Sequence, residues 1–168
     1  MTLEEFDRHF MAMAFREAEK AAAEGEVPAG CVIVEPSFDE GSGEWEVAGS
    51  KILARAHNRS EGLCDATAHA EMLALTEAFS ARGNWRLDGT RLYATKEPCP
   101  MCAGAISLSR VGTAVWGVPD PKRGGQNVFG ILSHPGMNHR PQTVEGVMET
   151  ECREILRDFF RRRREGNA

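Results

Sequence analysis

The sequence predicts one α/β layered domain, with a central sheet covered by helices on both sides. Its 168 residues suit a single domain, 1–168, with a sizeable core. Segments whose apolar residues recur at helical spacing alternate with short apolar segments typical of buried strands. The sequence contains no internal repeat, no long linker and no apolar run long enough to span a bilayer. These observations exclude a repeat architecture and favour a compact enzyme or binding module.

The first half of the chain is predicted to contain two helices and two strands. Apolar residues from Leu3 to Ala14 predict a helix over residues 2–24 that ends at Gly25. GCVIVEP predicts a buried strand, EPSFDEGSGEW a polar turn region, and EVAGSKILARAHN a return strand. The second helix is predicted from about Thr67, as its N-cap, through HAEMLALTEAF.

The second half repeats the alternation. TRLYAT predicts a strand, CPMCAGAISLS a helix and GTAVWGV another strand. Residues 119–141 are loop-like with one short helix, and QTVEGV is predicted as a final edge strand. The closing helix has an apolar stripe and a separate basic stripe at nearly the same spacing. These stripes are Cys152, Ile155, Leu156, Phe159 and Phe160, and Arg153, Arg157, Arg161 and Arg164.

Charge is distributed unevenly along the chain. The net charge is −5, which argues against a strongly basic nucleic-acid-binding surface over the whole molecule. However, the first 50 residues hold 3 basic and 12 acidic side chains, whereas the remaining 118 hold 17 and 13. A local basic face therefore remains compatible with the sequence. The first residues lack the basic start and apolar core of a secretory signal, so we expect a cytoplasmic protein with reduced thiols.

One group of residues carries chemistry. Cys99 and Cys102 form a single Cys-x-x-Cys, and His69 lies upstream in TAHAEM. One imidazole and two thiolates give zinc three protein ligands and leave a fourth position for water. Zinc lowers the pKa of such a water to about 7. Glu71 is then expected to stay off the metal and to move protons.

The predicted helices support this group. Pro100 suits the first turn of a helix, so Cys99 and Cys102 lie at a helix start on one face, where the helix dipole favours the thiolate. Residues two apart on a regular helix point to opposite sides. Either Glu71 curls back, or His69 lies in an irregular first turn. A purely structural zinc site remains an alternative.

Several motifs together resemble the cytidine deaminase superfamily, and within it the branch that acts on tRNA adenosine. In order, they are NR at 58–59, DATAHAEMLAL, EPCPMCAGAI, SRVGTAVWG, HPGMNHR and DFFRRRR. The resemblance implies a three-layer α/β/α fold around a central mixed sheet. It implies one Zn²⁺ per chain held by His69, Cys99 and Cys102, with Glu71 as proton shuttle. The implied reaction is hydrolytic deamination of the tRNA wobble adenosine to inosine, by a homodimer that binds the anticodon loop.

The resemblance also implies contacts with RNA. Asn58 would bind a base edge, and Asp120 would accept a hydrogen bond from a ribose 2′-hydroxyl. Lys122 and the arginine stripe, Arg161 among it, would meet phosphates, and one of Phe159 and Phe160 would contact a base or sugar. Each residue also has a purely structural interpretation: a turn for Asn58 and Asp120, core packing for Phe160, and a solvated tail for the arginines.

The chain departs from the family pattern at two places near these residues. Lys96 stands where the family has leucine, and we expect it to pair with Glu97 or to point to solvent. KRGGQNVFG replaces a loop of small residues after the Asp-x-Lys, which affects substrate detail. HPGMNHR is expected to be an ordered structural loop. The rival functions are a deaminase of a free base or nucleoside, which needs no arginine stripe, and an inactive zinc-containing RNA-binding relative.

Overall fold

A computed structural model describes residues 1–166 and contains a five-stranded mixed sheet between two layers of helices. The strand order is β2-β1-β3-β4-β5. The strands are β1 Gly30–Asp39, β2 Glu44–His57, β3 Arg91–Lys96, β4 Thr113–Val118 and β5 Gln142–Glu145. The helices are α1 Leu3–Ala23, α2 Ala70–Arg82, α3 Pro100–Leu108 and α4 Glu149–Glu165, with a 3₁₀ turn at Ile131–Ser133. This arrangement confirms the predicted α/β/α fold, including the edge position of the final strand.

The sheet is mixed because its connections differ in length. β1 and β2 are joined by a tight turn and pair antiparallel, and β1 also pairs antiparallel with β3. β3, β4 and β5 are parallel to one another. The crossover from β3 to β4 contains α3, as parallel strands require. The carboxyl ends of β3 and β4 therefore lie at the same end of the sheet as the start of β1.

Two apolar cores cover the two faces of the sheet. Alternate side chains of one strand point to opposite faces. In β3, Leu92 and Ala94 pack in the core under α2 and α3, whereas Tyr93 packs in the core under α1 and α4. β4 behaves in the same way, with Trp116 on the first face and Val115 on the second. β3 and β4 are thus buried on both sides, which explains their nearly continuous apolar sequences, whereas most residues of β2 and β5 are exposed or half-buried.

The β1–β2 hairpin is longer than the sequence predicts. The predicted turn covers residues 35–45, but β1 continues to Asp39 and the turn occupies only the residues between Asp39 and Glu44. The register shifts between Glu35 and Ser37, so Pro36 lies at a bulge, where its missing N–H removes no regular ladder bond. In this hairpin, Trp45 packs against Phe6 of α1, and the centroids of the two rings are 5.2 Å apart.

The helix boundaries confirm most predictions and correct one. α1 begins after Thr2, whose side chain forms a capping box with Glu5. The N-cap of α2 is His69, and the predicted N-cap Thr67 is wrong. Thr67 instead donates its hydroxyl to Asp65, 2.7 Å away, in the turn before the helix. Across residues 1–166, none of the helices combines the length and apolarity needed to cross a bilayer.

Candidate active site

The three predicted zinc ligands lie together beyond the carboxyl end of β3. His69 is the N-cap of α2, and Cys99 is the N-cap of α3, just after the strand ends at Lys96. His69 Nδ1 is 3.5 Å from Cys99 Sγ and 3.5 Å from Cys102 Sγ. All three ligand atoms lie within 4.8 Å of one another. The starts of two helices thus converge on one point.

The spacing of these atoms fits a tetrahedral zinc ion. Zn–N and Zn–S bonds of about 2.05 and 2.3 Å at a tetrahedral angle place nitrogen and sulfur about 3.6 Å apart. Both N–S distances in the structure are 3.5 Å, close to this value. Within residues 1–166, the group contains one histidine and two cysteines and no carboxylate. This donor set suits zinc and leaves a coordination position for water.

Glu71 lies beside the ligand group without belonging to it. His69 has extended backbone angles, φ −71° and ψ 152°, and precedes the regular helix. Of the two predicted ways to bring His69 and Glu71 together, the structure shows the one in which His69 lies outside the regular helix. Glu71 follows in the first turn of α2. Glu71 is 7% exposed, and burial raises the pKa of its carboxyl above the ordinary value.

The two cysteines are not equivalent. The hydrogen bond with Cys102, followed by the one with His69, lowers the pKa of Cys99 to about 4. Hydrogen bonding with Cys99 and burial raise the pKa of Cys102. The structure thus stabilises a thiolate at the start of α3, which is the form that binds a metal ion.

A cavity of about 280 Å³ opens onto these residues. Its walls include His69, Glu71, Cys99, Asn58 and Phe160. Asn58 is 7% exposed, whereas Phe160 of α4 is 42% exposed. A larger groove of about 630 Å³ lies between α1 and α4, but it holds neither the ligand group nor Glu71. The smaller cavity is therefore the candidate active site.

The other predicted RNA-binding residues lie outside this cavity wall. Lys122 is exposed in the loop after β4. Arg161 is exposed on α4, where its guanidinium lies 3.6 Å from the carboxylate of Asp158. Asp120 also lies outside the wall, and both of its carboxylate oxygens already accept hydrogen bonds. The roles of these residues in RNA binding stay predictions.

Lys96 pairs with Asp120, so the expectation of a Glu97 pair or a solvent position was wrong. Lys96 Nζ is 2.5 Å from Asp120 Oδ2, and the backbone N–H groups of Lys122 and Arg123 donate to Oδ1. Burial alone would raise the pKa of Asp120, but the bonds from Lys96 and the two amides lower it to about 2. Lys96 is the one lysine or arginine on the cavity wall, counted over residues 1–166.

Sequence reasoning missed two buried acids near the site. Glu97 is 2% exposed and accepts hydrogen bonds from the backbone N–H groups of Asp120, Gln126 and Asn127. Glu26 is also 2% exposed and lines the cavity. The partners of each acid lie more than 20 positions away in the chain, so no local spacing could have identified them.

The remaining cysteines take no part in the ligand group. Cys31 and Cys152 are buried in the two cores, as expected of small apolar residues. Cys64 is exposed and lies near the carbonyl oxygen of Glu61. In HPGMNHR, His139 bonds the carbonyl of Val111 and His134 accepts from Gly136 N–H, so this loop is an ordered structural element.

Comparisons with known proteins agree with this geometry. Residues 4–118 match the family model for the cytidine and deoxycytidylate deaminase zinc-binding region. The chain is similar to the tRNA-specific adenosine deaminase of Bacillus subtilis (strain 168), with 45% identity over 156 residues, 92% of this chain and 89% of that protein. It is also similar to the tRNA-specific adenosine deaminase of Agrobacterium fabrum, with 40% identity over 93% of this chain and 95% of that protein.

Among solved structures, the chain is similar to one from work on A-to-I editing by tRNA:A34 deaminases at the wobble position. The TM-score is 0.76 with 40% identity, covering 88% of this chain and 99% of that one. These matches confirm the predicted fold and the zinc cofactor. The chain therefore belongs to the cytidine and deoxycytidylate deaminase family of zinc enzymes.

Proposed function

We propose that this chain converts adenosine to inosine at the wobble position of a tRNA anticodon loop by hydrolytic deamination. The observation that carries the proposal is one cavity in which the ligand group, Glu71 and Asn58 meet. Similarity to tRNA-specific adenosine deaminases over nearly the whole chain supports this choice of substrate.

The chain's residues have distinct roles in this reaction. Zinc held by His69, Cys99 and Cys102 would activate a water molecule at neutral pH. The Glu71 carboxylate accepts a proton from the attacking water and returns it to the departing amino group. Water is consumed and ammonia leaves, so the amino group at C6 of the base is replaced by oxygen. The walls around Glu71, which leave it 7% exposed, limit access of bulk water to this transfer.

The cavity suits one nucleoside taken out of the stack. Its volume of about 280 Å³ lies at the low end of ligand cavities, which run from about 300 to 1,000 Å³. Asn58 can donate to and accept from one base edge, and the exposed ring of Phe160 can contact the base or sugar. Enzymes that act on a base within a nucleic acid place that base in such a cavity.

We also propose an RNA-binding face, a homodimer and a cytoplasmic location. Lys122 and Arg161 would meet phosphates, and Asp120 would lie near a ribose, beside a cavity that accepts the target base. The whole chain, residues 1–168, would act as one deaminase domain. For the dimer, the exposed Trp85 and Leu108 are the candidate contact residues. Light scattering of the purified chain tests the dimer, and the mass of a single chain would contradict it.

A single assay tests the proposed reaction. The purified zinc protein is incubated with an anticodon stem-loop that has adenosine at the wobble position, and inosine is quantified. Parallel reactions measure ammonia released from free guanine, cytosine and adenosine. We expect inosine in the stem-loop and little ammonia from the free compounds. Release of ammonia from free compounds alone would identify a base or nucleoside deaminase, and no product from any substrate would identify an inactive relative.

A further inference from the structure

We propose that Glu26 is a positioning residue that fixes the orientation of the Asn58 side-chain amide in the cavity. This inference rests on the proposed function, because it concerns how the substrate base is bound. Glu26 lies between α1 and β1, and its own N–H donates to the carbonyl of Ala21 at 2.9 Å. Its carboxylate is 2% exposed and lies in the wall of the cavity beside Asn58.

Glu26 is held by hydrogen-bond donors rather than by a cation. Its Oε1 accepts from Gly62 N at 2.7 Å, and its Oε2 accepts from Glu61 N at 3.2 Å and from Asn58 Nδ2 at 3.3 Å. Within residues 1–166, no lysine, arginine or histidine forms an ion pair with it. A buried carboxylate is costly unless donors satisfy it. The three donors together satisfy the buried carboxylate, and one of them belongs to the residue proposed to bind the base.

This contact selects one of the two orientations of the Asn58 amide. A carboxylate only accepts hydrogen bonds, so Asn58 must turn its NH₂ group, not its oxygen, towards Glu26. The Ser60 hydroxyl donates to Asn58 Oδ1 at 3.0 Å on the other side, which agrees with that orientation. One Nδ2 hydrogen and one Oδ1 lone pair remain for a ligand. With the amide reversed, the donor and acceptor offered to a base edge would exchange places.

The substitution Glu26→Gln separates positioning from simple structural support. It keeps the size of the side chain but places an NH₂ group against N–H donors. Of the three partners, only the Asn58 side chain can rotate to offer an acceptor instead. We expect Asn58 to reverse, and kcat/KM for inosine formation in the stem-loop to fall roughly 10- to 100-fold, the size of one bidentate base contact.

A comparison of double variants tests whether Glu26 affects catalysis through Asn58. If Glu26 acts through Asn58, Glu26→Gln costs less than about threefold in kcat/KM when it is added to Asn58→Ala. Asp7→Asn is the matched control, because it also neutralises a buried carboxylate, one that pairs with Arg91 and lines no part of the cavity. We expect Asp7→Asn to lower thermal stability while its effect on kcat/KM adds fully to that of Asn58→Ala. Full additivity for Glu26→Gln would overturn the positioning role.

One further measurement keeps the inference testable without the assay. The side-chain amide resonances of Asn58, assigned in NMR spectra by their disappearance in Asn58→Ala, should move in Glu26→Gln and stay in place in Asp7→Asn. Unmoved resonances would overturn the inference whatever the substrate is. If wild-type protein forms no inosine, the proposed function fails, and these resonances alone decide the role of Glu26.

A double variant that combines Glu26→Gln with Asn58→Asp tests the inference if Glu26→Gln alone does not fold. This double variant restores an amide–carboxylate pair with its two ends exchanged. We expect it to fold and to bind zinc, with at least a roughly tenfold decrease in kcat/KM. A double variant that is less stable than Asn58→Asp alone would show that the two side chains do not depend on each other.

Discussion

The position of Glu71 in the cavity depends on one residue, His69, whose backbone is extended rather than helical. Because His69 is extended and precedes α2, its ring and the Glu71 carboxylate reach the same cavity although they are two positions apart. We predict that Glu71→Gln retains zinc and stem-loop binding but decreases kcat roughly 10²- to 10⁴-fold, because the proton carrier is gone. Glu77→Gln, on the exposed side of the same helix, is the control and should leave kcat unchanged. Equal turnover in both variants would remove Glu71 from the mechanism.

The Lys96–Asp120 pair gives a pH prediction at the same scale. The pKa of Asp120 is about 2 in the folded protein and near 3.8 when unperturbed. Its ionised form therefore contributes stability above about pH 4, and that contribution disappears as the pH falls towards about 2. We expect the difference in unfolding free energy between wild type and Asp120→Asn, measured in urea, to narrow between about pH 6 and about pH 2.5. A difference that is constant with pH would contradict this assignment.

At the scale of elements, the loop after β4 is fixed by close packing around Glu97. A Cβ atom at Gly124 would lie 2.3 Å from Glu97 Oε1, and one at Gly125 would lie 2.6 Å from the Cβ of Ala103. KRGGQNVFG, which lies in the segment predicted as a loop, is therefore tightly packed where it passes the start of α3. This packing also fixes Asp120, which begins the loop and whose N–H donates to Glu97.

We predict that Gly124→Ala lowers the free energy of unfolding by about 1–3 kcal/mol, because the loop must move away from Glu97. The matched control is Gly104→Ala on α3, where an added Cβ meets nothing within 4 Å. Alanine is a better helix former, so this variant should be as stable as wild type or up to about 1 kcal/mol more stable. Thermal and urea unfolding measure both, and equal stability of the two variants would contradict the packing argument.

The basic stripe of α4 gives a second prediction for an element. Arg161 and Arg164 are exposed on the helix whose Phe160 lines the cavity. We expect Arg161→Glu with Arg164→Glu to weaken stem-loop binding and to make its salt dependence shallower, by about 0.7 in the log–log slope for each phosphate that the arginines no longer neutralise. Zinc content should stay the same. Lys51→Glu on the edge strand β2 is the control. An equal effect of both changes would mean that the arginines form a solvated face without a specific role in RNA binding.

The sequence predicts well the elements whose signal is local. Apolar periodicity identifies the first and last helices, Pro100 marks the start of the third, and the ligand group follows from residues within two short motifs. The predicted extent of β1 is wrong because Pro36 indicates a turn by composition, whereas a bulge accommodates it within the strand. Thr67 is wrong as a cap because its hydroxyl bonds Asp65 instead. The Glu26–Asn58 contact could not be predicted, because it joins residues that meet only when α1, β1 and β2 have assembled.

At the scale of the whole molecule, the acidic N-terminal segment and the closing helix with its basic stripe meet. Glu19 of α1 lines the groove between α1 and α4 together with Arg162 and Arg163, and Arg8 of α1 pairs with Glu151 of α4 at 3.0 Å. Glu44 and Glu46 lie instead on β2, the strand at the edge of the sheet. The uneven distribution of charge along the sequence is therefore only partly a separation in space.

The two helices that supply ligands begin without side-chain caps. Neither the His69 ring nor the Cys99 thiol accepts a capping hydrogen bond from its own helix, although both residues occupy the N-cap position. Uncapped amides at a helix start exchange with solvent readily. After chelation, we expect deuterium uptake to rise first at the amides of residues 70–72 and 101–102, while β1 and β3 remain protected. Unchanged uptake at the amides of those two segments would mean that the metal plays no part in keeping the helix starts closed.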